Sequence, residues 1–113
     1  MQYWRADEWF CVSRVTGPRH NMLRMRLSGG SQAAPTVERL PPAGSCAHAA
    51  LDEHSLVASV LHGVADANAQ LGTSLCVTHI GYVANDTKPE AVYAFLASKL
   101  IEHFRTAGEL QVD

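Results

Sequence analysis

Two amphipathic segments on either side of one apolar run, within residues 51–107, constrain the fold of this chain most strongly. In each segment apolar residues recur every three or four positions, which places them on one side of an α-helix. The first stripe is Leu56, Val57, Val60, Leu61, Val64 and Leu71, and the second is Val92, Tyr93, Leu96, Leu100, Ile101 and Phe104. Both stripes must be buried, so the sequence predicts two helices that pack on a common sheet.

The remaining pattern predicts four strands. Residues 9–15 are rich in β-forming residues, and residues 22–28 alternate between apolar and charged side chains. A short Gly-Pro loop between them predicts an antiparallel hairpin. Residues 36–40 and 74–83 are the other two strands. The order β-β-β-α-β-α predicts an α+β two-layer sandwich, with a mostly antiparallel four-stranded sheet and two helices on one face.

The chain of 113 residues is predicted to form a single α+β domain over residues 9–107, with an N-terminal tail at 1–8 and a C-terminal tail at 108–113. No apolar run approaches the ~20 residues that span a bilayer. The polar, acidic N-terminus does not resemble a secretory signal, and three widely spaced cysteines indicate no disulfide framework. A cytoplasmic location is therefore expected.

Residues with cap chemistry mark the predicted helix ends. Asp52 is the expected N-cap of the first helix, and Gly72 is its expected C-terminal glycine. Thr87, Pro89 and Glu90 together predict the start of the second helix, with Thr87 and Glu90 forming a capping box.

The element order, together with Leu51-Asp52-Glu53-His54-Ser55 at the opening of the first helix, resembles the ribosomal protein S5 domain 2-like fold. More narrowly, residues 37–107 are similar to domain IV of elongation factor G, in which a Val-Asp-Ser-Ser-like segment opens the corresponding helix. The resemblance implies a fold often used near RNA. The chain departs from that family because it contains no GTPase domain and its helical half is acidic. Of the family's residues only Asp52 carries over, and its predicted role here is capping.

Charge is distributed unevenly along the sequence. The first forty residues hold six arginines against three acidic residues, whereas the rest hold three basic and eight acidic residues. The predicted hairpin carries most of the positive charge, on Arg14, Arg19, His20, Arg24 and Arg26. Guanidinium groups match phosphates and carboxylates, and Trp4 and Trp9 lie near enough in sequence to add stacking surfaces. These residues predict a partner-binding face in which Arg14 joins Arg24 and Arg26; the alternative is an ordinary solvated outer face of the hairpin.

Cys46, His48, Asp52 and His54 cluster before and at the start of the first helix. Their spacing matches no established zinc or nucleophile motif, so the sequence assigns no metal ligand and no catalytic residue. They nevertheless offer an alternative function, a small enzyme or metal-binding protein.

The uncovered face of the predicted sheet is a possible dimer surface. Phe10, Val12, Ile80 and Tyr82 are expected to contribute apolar area there, which favours a homodimer. His79 is predicted to be a satisfied structural histidine; the alternative, if it faces the open side of the sheet, is that it shares a shallow pocket with hairpin arginines.

No phosphate-loop, serine-hydrolase or metalloprotease motif is present. The sequence therefore favours a non-catalytic binding module that engages RNA or an acidic partner, without cofactor and without membrane contact. A purely structural, oligomerising subunit is the third alternative.

Overall fold

The computed structural model describes residues 1–16, 19–29, 34–41, 51–84 and 86–110. Its elements are β1 (Gln2–Ala6), β2 (Trp9–Thr16), β3 (Arg19–Ser28), β4 (Thr36–Leu40), α1 (Glu53–Leu71), β5 (Cys76–Val83) and α2 (Val92–Thr106). The predicted α+β class with two helices is confirmed. Neither described helix has the length and apolar character that crossing a membrane requires.

Within the described residues the sheet has five strands in the order β1-β2-β3-β5-β4, one more than predicted. The β4–β5 pair is parallel, and the other three pairs are antiparallel. The added strand is β1, which lies within the predicted N-terminal tail and pairs Tyr3 with Val12 and Trp4 with Cys11. A tight turn makes this pairing possible, because Asp7 adopts the left-handed conformation (φ 56°) that aspartate tolerates better than most residues. The prediction of a tail over residues 1–8 was wrong for this reason.

Both helices cover the same face of the sheet. The ring of Phe10 in β2 lies 5.0 Å from that of Phe104 in α2, and the Tyr82 hydroxyl in β5 donates to Glu53 in α1 at 2.9 Å. The four residues predicted on the uncovered face, Phe10, Val12, Ile80 and Tyr82, are instead buried in this core. Strand register places them opposite core residues of the neighbouring strands, so that prediction was wrong. The homodimer stays a prediction, but these four residues no longer support it.

The start of α1 was predicted correctly, and the start of α2 was not. Asp52 accepts a hydrogen bond from the Ser55 amide at 3.2 Å, and Gly72 ends α1 in the left-handed conformation. In contrast, α2 begins at Val92 without a side-chain cap. Glu90 accepts instead from the backbone N–H of Asp52 at 2.6 Å, a bond that lowers the pKa of the Glu90 carboxyl. Glu90 thus links the segment before α2 to the start of α1 and does not form a capping box with Thr87.

Candidate functional site

Strand register separates the predicted basic residues onto two faces of the sheet. Arg14 is paired with Asn21, whereas Arg24 is paired with Cys11 and Gly81. Because side chains alternate along a strand, Arg14 points to the helix-bearing face and Arg24 points to the opposite face, which we call the outer face. Arg26, two residues further along β3, shares the outer face with Arg24. The prediction that Arg14 joins these two arginines was wrong.

On the outer face Arg24 and Arg26 are already engaged by local partners. Arg24 forms an ion pair with Glu38 at 2.8 Å, and Arg26 forms one with Glu8 at 3.1 Å. Both guanidinium groups also lie over the Trp9 ring, 4.2 and 4.8 Å from its centroid. These contacts neutralise the two charges and bury the indole, so this part of the hairpin offers little free positive potential.

His79 lies beside this group on the outer face. Its ring stands edge-on to Trp9 at 6.1 Å between centroids. It lines a shallow cavity together with Arg26 and Glu8, as the pocket alternative predicts, and its Nδ1 lies 2.9 Å from the Thr78 hydroxyl, as the structural interpretation predicts. The cavity therefore contains both the negative charge of Glu8 and the positive charge of Arg26.

The other two arginines lie together at a small cavity of about 70 Å³ between the end of the β2–β3 hairpin and the start of α2. Arg14, Arg19 and Lys88 line this cavity, as do the polar side chains of Asn21 and Thr87. We call it the hairpin pocket. Arg14 and Arg19 are exposed, and across the described ranges neither has a carboxylate within ion-pair distance. Lys88 is paired with Glu90, at 3.5 Å.

The wall of the hairpin pocket forms because β5 is shorter than β3. The β3–β5 pairing extends only to Leu23, so no strand among the described residues pairs with the first residues of β3 on that side. Thr87 takes its place: its hydroxyl accepts from the His20 N–H, and its own N–H donates to the His20 carbonyl, both at 3.0 Å. The next amide on the same edge of β3, that of Met22, donates to the Asp86 carboxylate at 2.7 Å. Asp86 and Thr87 thereby satisfy backbone groups that a strand would otherwise satisfy.

Asp86 is the centre of a buried polar network that holds this turn. Only 1% of Asp86 is exposed, and its carboxylate also accepts from the Tyr93 hydroxyl at 2.8 Å and contacts His20 Nδ1 at 2.8 Å. Burial, and then the charge of Asp86, raise the pKa of Tyr93. Asn21 Nδ2 donates to the Thr87 carbonyl at 2.7 Å. The network therefore fixes Asn21 and Thr87 at the pocket, and His20, predicted to bind a partner, contributes to this support.

Sequence reasoning missed Asp86 and Lys88. The segment Asn85-Asp86-Thr87 carries turn and cap chemistry, which was assigned to α2. The predicted strand lengths gave no signal for this role, because the predicted second strand (22–28) is shorter than the predicted fourth (74–83), whereas in the structure β3 outlasts β5.

The alternative cluster before α1 has only two members in the part of the chain that the structure describes. Cys46 and His48 lie outside the described residues. Asp52 caps α1, and its hydrogen bonds from the Ser55 hydroxyl and then the Ser55 amide lower the pKa of the Asp52 carboxyl. His54 is exposed on the first turn of α1. Among the described residues, no group of three or more His, Cys, Asp or Glu side chains is arranged to hold a metal ion.

Comparison of the chain with protein-family models, with curated proteins and with solved structures finds no match. The function must therefore be argued from the site itself.

Proposed function

We propose that this protein is a binding module whose hairpin pocket receives an anionic group of RNA or of an acidic partner. The observation that carries the proposal is the pair formed by Arg14 and Arg19, two exposed guanidinium groups without carboxylate partners among the described residues, beside fixed polar side chains. The partner's phosphate or carboxylate would supply the missing negative charge.

The size of the pocket suits such a group. A cavity of about 70 Å³ exceeds the ~10–15 Å³ of such volume that one water molecule needs. It has room for a small anionic group such as a phosphate or a carboxylate. Arginine recognises either group through paired N–H donors, which fixes its orientation as well as its charge.

The local charge also favours an anion. Arg14, Arg19 and Lys88 contribute three positive charges, and Glu90 offsets one of them through its pair with Lys88. Asp86 is buried and accepts hydrogen bonds from its own neighbours, so its carboxylate does not compete for the three cations through a direct ion pair. Binding should therefore weaken as salt is added.

The resemblance to the ribosomal protein S5 domain 2-like fold is part of the same proposal. From β2 to α2 the element order is the one on which that resemblance depends. A fold often used near RNA would suit a partner that carries phosphates.

The experiment is a titration of isotopically labelled protein with inorganic phosphate, followed by amide chemical shifts. We expect shifts centred on Asn21, Thr87 and Val92, and their loss in R14Q/R19Q. The matched control is R24Q/R26Q, which removes the same charge from the outer face and should retain the response. Shifts centred on the outer face, or equal loss of response in the two double variants, would overturn the proposal.

A further inference from the structure

We propose that the partner is a single-stranded nucleic acid, tested here as RNA, which places one phosphate in the hairpin pocket and stacks the adjoining base on Phe95. This inference depends on the proposed function, because it identifies the ligand of the same pocket. It is carried by an exposed aromatic ring that lies beside the pocket and has two cations near it.

Phe95 is a large apolar side chain on the surface of α2, with 43% of it exposed. It follows Val92, a residue of the pocket wall, by three positions, so the two share one side of the helix. The guanidinium of Arg14, itself in the pocket, lies 5.8 Å from the Phe95 ring centroid. The ring is therefore continuous with the anion-binding surface rather than a separate apolar patch.

A second cation lies near the ring, one helical turn further along α2. Lys99 Nζ is also 5.8 Å from the Phe95 centroid, and its pair with Glu102, at 3.4 Å, is exposed to solvent and weak. From Val92 to Lys99 the helix advances about 10 Å. The surface thus presents, in order, the cationic pocket, an aromatic platform and a further cation.

This order matches the chemistry of an unpaired strand. Its charged backbone and its bases are both accessible, and a base can stack on any aromatic ring irrespective of sequence. A duplex stacks its bases on one another and offers no free face to Phe95. An acidic peptide would satisfy the cations and leave the exposed ring without a partner.

The test measures binding of a short fluorescent oligouridylate by anisotropy, at low and at moderate salt, alongside the phosphate titration. We expect Phe95→Leu, which keeps an apolar side chain and removes the π-face, to lower affinity about tenfold while leaving the phosphate response intact. The matched control is Leu61→Ala, which removes another exposed apolar side chain, 42% exposed on α1, and should bind as the parent does. A duplex of the same length and a polyglutamate peptide should both bind more weakly than the single strand.

The two proposals fail in different ways. Unchanged oligouridylate affinity in Phe95→Leu, or duplex or polyglutamate binding as tight as that of the single strand, would overturn the stacking inference while a retained phosphate response upholds the pocket. Absence of a phosphate response in the parent protein would overturn both the pocket proposal and the stacking inference. Circular dichroism of the variants establishes that each is folded, as expected for changes at exposed positions.

Discussion

The side chain of Arg24 lies flat across the backbone of Gly81, its cross-strand neighbour in β5. A Cβ atom added at Gly81 would stand 2.6 Å from Arg24 Nε and 2.7 Å from its Cγ. Beyond Gly81 the next strand presents Glu38, which accepts from Arg24 Nη2 at 2.8 Å. The absence of a side chain at Gly81 is what allows an arginine on β3 to reach a carboxylate two strands away.

Gly81→Ala should therefore displace Arg24 and break its pair with Glu38. We expect the free energy of unfolding, measured in urea, to fall by about 1–2 kcal/mol because the added methyl group is overpacked. In an Arg24→Ala background the same change should cost clearly less, since its main obstacle has been removed. Equal costs in the two backgrounds would show that Arg24 is not the obstacle.

Gly63→Ala should reverse the usual effect of this substitution in a helix. In an exposed helix interior the change gains about 1 kcal/mol, but here the new Cβ would lie 2.2 Å from the backbone oxygen of Ala94 in α2. The helices must separate to admit it, so we expect a net loss of about 1–3 kcal/mol in the free energy of unfolding. Ala65→Gly, at an exposed position of α1, measures how much the helix propensity of glycine relative to alanine changes the free energy of unfolding, without a packing change. A stabilised Gly63→Ala protein would contradict the close helix contact.

Asp86→Asn should destabilise the protein although it changes only one atom. The asparagine side chain has one acceptor oxygen in place of two and no negative charge, so the Met22 amide, the Tyr93 hydroxyl and His20 Nδ1 can no longer all contact a carboxylate oxygen. We expect a loss of about 2–4 kcal/mol in urea unfolding. Asp66→Asn, which removes an exposed carboxylate paired with His62, is the matched control and should change stability by less than about 1 kcal/mol.

The Asp52 cap should make stability depend on pH in acid. Because Ser55 lowers the pKa of this carboxyl in the folded state, its contribution is present above the unfolded pKa, about 3.9, and is lost as the pH falls through the folded pKa. Asp52→Ala should therefore be less stable than the parent at neutral pH, and the difference should narrow in strong acid. Urea unfolding at the two pH values checks this. A difference that is constant or widens in acid would argue against the charged cap.

The elements predicted most successfully from the sequence are those with long local patterns. The stripes lie on helices of 19 and 15 residues, and the alternation in β3 covers most of the strand. By contrast, β1 is short, and its existence depends on pairing with β2 through a turn at Asp7. A strand that is stabilised mainly by its neighbour leaves little trace in its own sequence.

The candidate site was predicted as a set of residues but not as a geometry. Arg14, Arg19 and Arg24 were recognised as chemically related, yet only the hairpin register decides which of them share a face. A shift of one residue in the pairing of β2 with β3 would move these side chains to the opposite face. The residue types alone do not determine that register. Similarly, Thr87 has the chemistry of a helix cap, and only the early end of β5 diverts it to the edge of β3.

Thr87 belongs both to the sheet edge and to the wall of the pocket, so the molecule cannot alter one without disturbing the other. The half of the recognition surface built by the Asp86–Thr87 turn is therefore rigid by construction. Arg14, Arg19 and Lys88 project from the rim and do not hold the sheet together. Changes in ligand preference, in nature or by protein engineering, can therefore be made at those three side chains without disturbing the sheet.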